Sequence, residues 1–96
     1  MRPSEALEKN REAIRGVVAR YRVANPRVFG SAARRKDDEE SDLDILVDTL
    51  PGATLLDFGG LQFELEKLLG VRVDVVNSSG LAKRFRARIL SEARPI

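Results

Sequence analysis

Ser41-Asp42-Leu43-Asp44-Ile45-Leu46-Val47-Asp48 alternates with a period of two: Leu43, Ile45 and Val47 fall on one side, and Asp42, Asp44, Leu46 and Asp48 on the other. Successive side chains of an extended chain point to opposite faces, so this stretch is a strand with an apolar side. Asp42 and Asp44 leave the same face, with Cα atoms about 7 Å apart. Two such anions repel, and at the start of an apolar strand only water or a cation relieves the charge. On its own an Asp-x-Asp pair is weak evidence, because a solvated sheet face accounts for most of them.

Upstream, Arg27-Val28-Phe29 reads as a brief strand stopped by the turn Gly30-Ser31-Ala32-Ala33, and Arg34 to Glu40 reads as a charged loop. Further back, Leu7, Ile14, Val17, Val18 and Tyr21 recur at helical spacing, giving one amphipathic helix from Ser4 to about Tyr21. Downstream, Leu50-Pro51-Gly52 breaks the strand. A helix over Leu55 to Leu69 buries Leu61, Leu65, Leu68 and Leu69 and stops at Gly70. Gly59-Gly60 inside it costs about 1 kcal/mol per residue relative to alanine, so either the helix starts after them or something packs closely there. Val71 to Val76 alternates again, with Asp74 on the polar side. A last helix from Leu81 to about Ala93 is expected to bury Leu81, Phe85, Ile89 and Leu90. The order α-β-β-α-β-α predicts an α+β fold: a small three-stranded mixed sheet with helices packed on one face.

With 96 residues and 43% hydrophobic content the chain is expected to form a single domain spanning residues 1–96, with no room for a second module to grip a large acceptor. Cysteine and histidine are absent. Thiol nucleophiles, disulfides and thiolate zinc sites are therefore excluded, and any metal must be a hard cation held by oxygen. No apolar run approaches the ~18 residues of a membrane span and no signal peptide is visible, so a cytoplasmic location with no membrane contact is expected. The net charge is +2, from 17 basic against 15 acidic residues. The acidic run Asp37 to Glu40 reads as solvated surface. Lys83, Arg84, Arg86, Arg88 and Arg94 leave nucleic-acid contact as a minor reading.

Glycine at position 30 lets the main chain approach an oxyanion closely, the Ser31 hydroxyl adds a donor, and Arg34 or Lys36 supplies positive charge, which together suit a triphosphate. Asp74 lies on a strand expected to neighbour Asp42 and Asp44, so that three carboxylates can converge; the alternative is a solvent-facing Asp74 paired with Arg72. Three converging carboxylates suit two Mg²⁺ ions about 3.5 to 4 Å apart. Phe29-Gly30-Ser31-Ala32-Ala33-Arg34, then Ser41 to Val47 with Asp42 and Asp44, then Val73-Asp74-Val75-Val76, resembles the minimal nucleotidyltransferase (MNT) family, marked by Gly-Ser, ten residues and Asp-x-Asp.

The resemblance runs over nearly the whole chain. It implies the DNA polymerase β-like nucleotidyltransferase fold and transfer of AMP from ATP to a hydroxyl. Gly30, Ser31 and Arg34 match the triphosphate-binding turn, Asp42 and Asp44 the metal ligands, and Asp74 the third ligand, which helps deprotonate the acceptor. Asp37, Asp38, Glu39, Glu40 and Asp48 match nothing catalytic. The resemblance further implies an antitoxin paired with a HEPN-domain ribonuclease toxin, one of whose tyrosines is the acceptor. The alternative is an antitoxin that inhibits by binding alone. One departure is Arg35, where many members have glycine.

Overall fold

The alternating stretch forms β2 (Leu43–Thr49), and Leu43, Ile45 and Val47 are fully buried on its apolar side, in a core built with helices from both halves of the chain. The computed structural model describes residues 1–96. Ahead of β2 come α1 (Pro3–Lys9), α2 (Arg11–Val18), β1 (Val23–Phe29) and the single turn α3 (Gly30–Ala33). After it come α4 (Leu55–Leu69), β3 (Val73–Asn77), a 3-10 turn at Ser78–Gly80, α5 (Lys83–Glu92) and β4 (Arg94–Pro95). The sheet is mixed, in the order β3-β2-β1-β4. β2 runs antiparallel to β1 and parallel to β3, α4 supplying the crossover that a parallel pair requires. Ala6 and Leu7 of α1, Ile14, Val17 and Val18 of α2, and Leu61, Leu65 and Leu69 of α4 close the core. No helix is long and apolar enough to cross a membrane.

The α+β architecture is as expected, with one more strand. β4 has two residues, too short for any periodicity, and joins the outer edge of β1 through Arg27 opposite Pro95 and Val28 opposite Arg94. β1 itself starts earlier than expected because a bulge between Ala24 and Arg27 absorbs Pro26, with Asn25 at a φ of 56°. The amino-terminal helix is two helices. Asn10 breaks it, its side-chain amide donating to the Ala6 carbonyl at 2.8 Å, while the apolar spacing runs on across the break.

Two further expectations are corrected. Asp37 is buried rather than solvated: its Oδ2 accepts from the Ser4 amide at 2.8 Å, in the first turn of α1. Burial pushes its carboxyl up, but the hydrogen bonds from Ser4 outweigh that and hold it below the ordinary value. Its Oδ1 has no partner. In α5 no residue is buried. Phe85 and Leu90 are more than two-fifths exposed, so the helix adds little to the core.

Glycines 59 and 60 both lie inside α4, which starts from a Thr54 cap whose hydroxyl accepts from the Leu56 amide. They differ in surroundings: a Cβ at Gly60 would stand 2.8 Å from the Tyr21 ring, whereas one at Gly59 would meet nothing within 4 Å. Gly59→Ala is therefore expected to stabilise the fold by up to about 1 kcal/mol and raise the melting temperature by several degrees. Gly60→Ala forfeits that gain by displacing Tyr21. Equal melting temperatures for the two variants would refute the close packing at Gly60.

Candidate active site

Parallel pairing of β2 with β3 sets Leu43 beside Val73 and Asp44 beside Asp74. Neighbouring strands stand about 4.8 Å apart, so two carboxylates are carried side by side on the face opposite the core. Asp42 lies just before β2, and its Oδ1 takes the Arg72 guanidinium at 2.9 Å. As the side chains stand, no three carboxylates gather around a common point. Three bare anions repel, and turning Asp42 to Arg72 relieves one of them.

On the other side of Asp44, Phe29 is its partner in β1, and the chain turns at once into Gly30 with a φ of +73°. The missing side chain is needed twice at Gly30. The left-handed conformation favours glycine, and a Cβ there would overlap the Asp44 carboxylate. The Gly-Ser turn is thus in direct contact with Asp44. Beside them lies a cleft of about 410 Å³, bordered by Phe29, Gly30, Ser31, Arg34 and Asp44 on one side and by Phe85, Arg88, Ile89 and Glu92 of α5 on the other. This is within the size range of small-molecule sites.

Glu92 spans the cleft. Its Oε1 accepts from the Gly30 amide and its Oε2 from Arg34 Nη1, both at 3.0 Å. The carboxylate therefore occupies two of the donors that the sequence suggests for a triphosphate. Asp48, further along β2, is held by Ser78, Asn25 and Arg27, whose hydrogen bonds keep its carboxyl below the ordinary value. It is a structural brace, not a member of the cleft.

The nucleotidyltransferase domain model matches residues 11–96. The protein adenylyltransferase MntA of Thermococcus cleftensis is 44% identical over 73 residues, which cover 76% of this chain and 74% of the relative. A solved structure of a candidate minimal nucleotidyltransferase superposes with a TM-score of 0.87 at 49% identity, over 97% of this chain and 95% of that one. The chain belongs to the nucleotidyltransferase family. A toxin–antitoxin complex solved with AMP-PNP shares the fold, with a TM-score of 0.77 at 18% identity over 90% of this chain and 71% of that one.

In this nucleotidyltransferase, burial first, then the charges of Asp74, Asp42 and Glu92, push the Asp44 carboxyl up to about 6, against a smaller opposing pull from Arg34. The donor set fits a hard divalent cation. It is carboxylate oxygen throughout, it carries unneutralised negative charge around Asp44, and the Asp42–Arg72 pair is exposed enough to open at little cost. Phe85, Arg88, Ile89 and Glu92 escaped sequence reasoning. Their spacing along one helical face marks them as a unit, but the same spacing suits a core face, as read for Phe85 and Ile89.

The raised carboxyl has a measurable consequence for the metal-free protein. The unfolded chain releases the Asp44 proton near pH 4 and the folded chain near pH 6, so stability falls as pH rises between these values and stays lower above them. Asp44→Asn removes that cost. In urea unfolding with EDTA the variant is expected to match wild type near pH 4 and to exceed it by about 1 to 2 kcal/mol above pH 7, allowing for solvent screening. A difference independent of pH would rule out strain at this carboxylate.

Proposed function

We propose that this enzyme transfers AMP from ATP to a hydroxyl of a protein partner, the acceptor being a tyrosine of a HEPN-domain ribonuclease toxin that is silenced by the modification. The observation that carries the reading is the in-register Asp44–Asp74 pair, with Asp44 pressed against a left-handed glycine turn and bordering a cleft of small-molecule size. The likeness to a protein adenylyltransferase and to an antitoxin crystallised with an ATP analogue supports the choice of donor and of partner.

In this reading the Gly30 amide, the Ser31 hydroxyl and Arg34 receive the triphosphate once Glu92 gives way. Asp42, Asp44 and Asp74 hold Mg²⁺, two ions being expected for this chemistry. When bound, magnesium supplies charge neutralisation for the triphosphate and for the acceptor oxygen. The acceptor oxygen forms a bond to the α-phosphorus as the α–β bridging bond breaks. Pyrophosphate leaves, and the hydroxyl proton passes to Asp74.

A second reading, an antitoxin that acts by contact alone, is favoured by one observation: the Gly30 amide and Arg34 are satisfied by Glu92, and Asp42 by Arg72, so the site is internally paired. The two readings separate on incubation with a HEPN partner, Mg²⁺ and ATP labelled at the α-phosphate. Catalysis predicts labelled toxin with wild type and at least a hundredfold less with Asp44→Asn, while both proteins still bind the toxin. Unlabelled toxin, or equal labelling by the variant, overturns the enzymatic reading.

Removing the plug gives an independent check on the nucleotide site. Glu92→Gln keeps the shape of the side chain and weakens its hold on Arg34, so affinity for a non-hydrolysable ATP analogue is expected to rise about tenfold, or roughly 1.4 kcal/mol. Calorimetry that finds unchanged or weaker binding would show that the Gly30 turn does not receive the triphosphate.

A further inference from the structure

Behind the Gly-Ser turn, on the other side of α3, lies a second cavity of about 230 Å³. Its walls include Leu7, Val28 and Ala32, and four arginines line it: Arg11, Arg34, Arg35 and Arg94, against one acidic residue, Glu8. Two of the four are already engaged. Arg11 donates to Glu8 at 2.7 Å and Arg34 pairs with Glu92. Arg94 forms no ion pair, and Arg35 comes no nearer than 3.8 Å to Glu8.

Arg35 holds a φ of +56° as the residue that ends α3: its amide donates to the Ala32 carbonyl at 3.2 Å and the Lys36 amide to the Ser31 carbonyl at 2.9 Å, a left-handed helix stop at which glycine is the usual residue. The side chain carried at this stop adds a guanidinium to the lining of a pocket already bordered by Arg11, Arg34 and Arg94. The volume is below that of typical nucleotide-sized sites, and guanidinium forks match the oxygens of a phosphate.

We propose that this cavity is an oxyanion pocket, separate from the nucleotide cleft, that takes the phosphate group of a small free anion such as inorganic phosphate or pyrophosphate. Arg94, which has no ion pair, and Arg35, held only by a long 3.8 Å pair with Glu8, are the residues that grip it. Arg34 borders both cavities, so an anion held here competes with Glu92 for that guanidinium, and occupancy of the pocket loosens the contact that fills the Gly30 turn. The proposal does not depend on the identity of the acceptor or on catalysis.

The test is a titration of the full chain, free of divalent metal, with inorganic phosphate and separately with pyrophosphate, followed by amide chemical shifts at constant ionic strength. Saturable shifts centred on Leu7, Ala33, Arg35 and Arg94 are expected with either anion, weakened at least tenfold by Arg94→Ala and by Arg35→Gly. Arg35→Gly should melt no lower than wild type, because glycine suits this left-handed helix stop, and this separates lost binding from lost folding. Shifts that follow ionic strength without saturating, that centre on Gly30, Ser31 and Asp44 instead, or that persist in both variants would overturn the proposal.

Discussion

Asp44 and Asp74 are held side by side by main-chain pairing that neither carboxylate favours. The parallel ladder of β2 and β3 sets the spacing, and the fully buried Leu43, Ile45 and Val47 on the opposite face leave the strand no freedom to slip, since a shift of one residue would drive Asp44 into the core. The raised Asp44 carboxyl is the electrostatic record of that constraint. Apolar burial on one side of the sheet thus maintains charge repulsion on the other.

The turn at Gly30 depends on the same carboxylate. Its positive φ and its lack of a side chain let β1 end against Asp44, and the amide that this turn presents is taken by Glu92. Two of the three neighbouring acids are thereby given protein partners, Asp42 by Arg72 and Glu92 by Arg34. Asp44 has none. The arrangement resolves the repulsion at the edges of the cluster and leaves it at the centre.

Much of this was readable from alternation and punctuation. The period-two run located β2, Gly70 stopped α4 as predicted in a left-handed cap, and of the residues singled out for a site Gly30, Ser31, Arg34 and Asp44 border one cleft while Asp42 and Asp74 do not. What escaped reading is held together by contacts between distant residues. Asp37 sits in a run of charges and looks solvated, but the amide it accepts from belongs to Ser4, 33 residues earlier. β4 exists only because Arg94 and Pro95 meet the free edge of β1. In α5, Phe85 and Ile89 carry the spacing of a core face, and pattern alone does not distinguish a core from the wall of a cleft.

That difference between elements gives the molecule an uneven stability with a functional direction. β2 carries four fully buried side chains, Leu43, Ile45, Leu46 and Val47, and opens only with the whole fold, whereas α5 buries none. Besides its chain connections, α5 is tied down by Glu92 on Gly30 and Arg34 and by Arg86 on the Ser78 carbonyl at 3.4 Å. Displacing Glu92 therefore exposes little apolar surface and costs little beyond the hydrogen bonds exchanged. A ligand that offers Gly30 and Arg34 more negative charge than one carboxylate repays that exchange at the same donors, while the β2–β3 ladder keeps the acidic pair fixed.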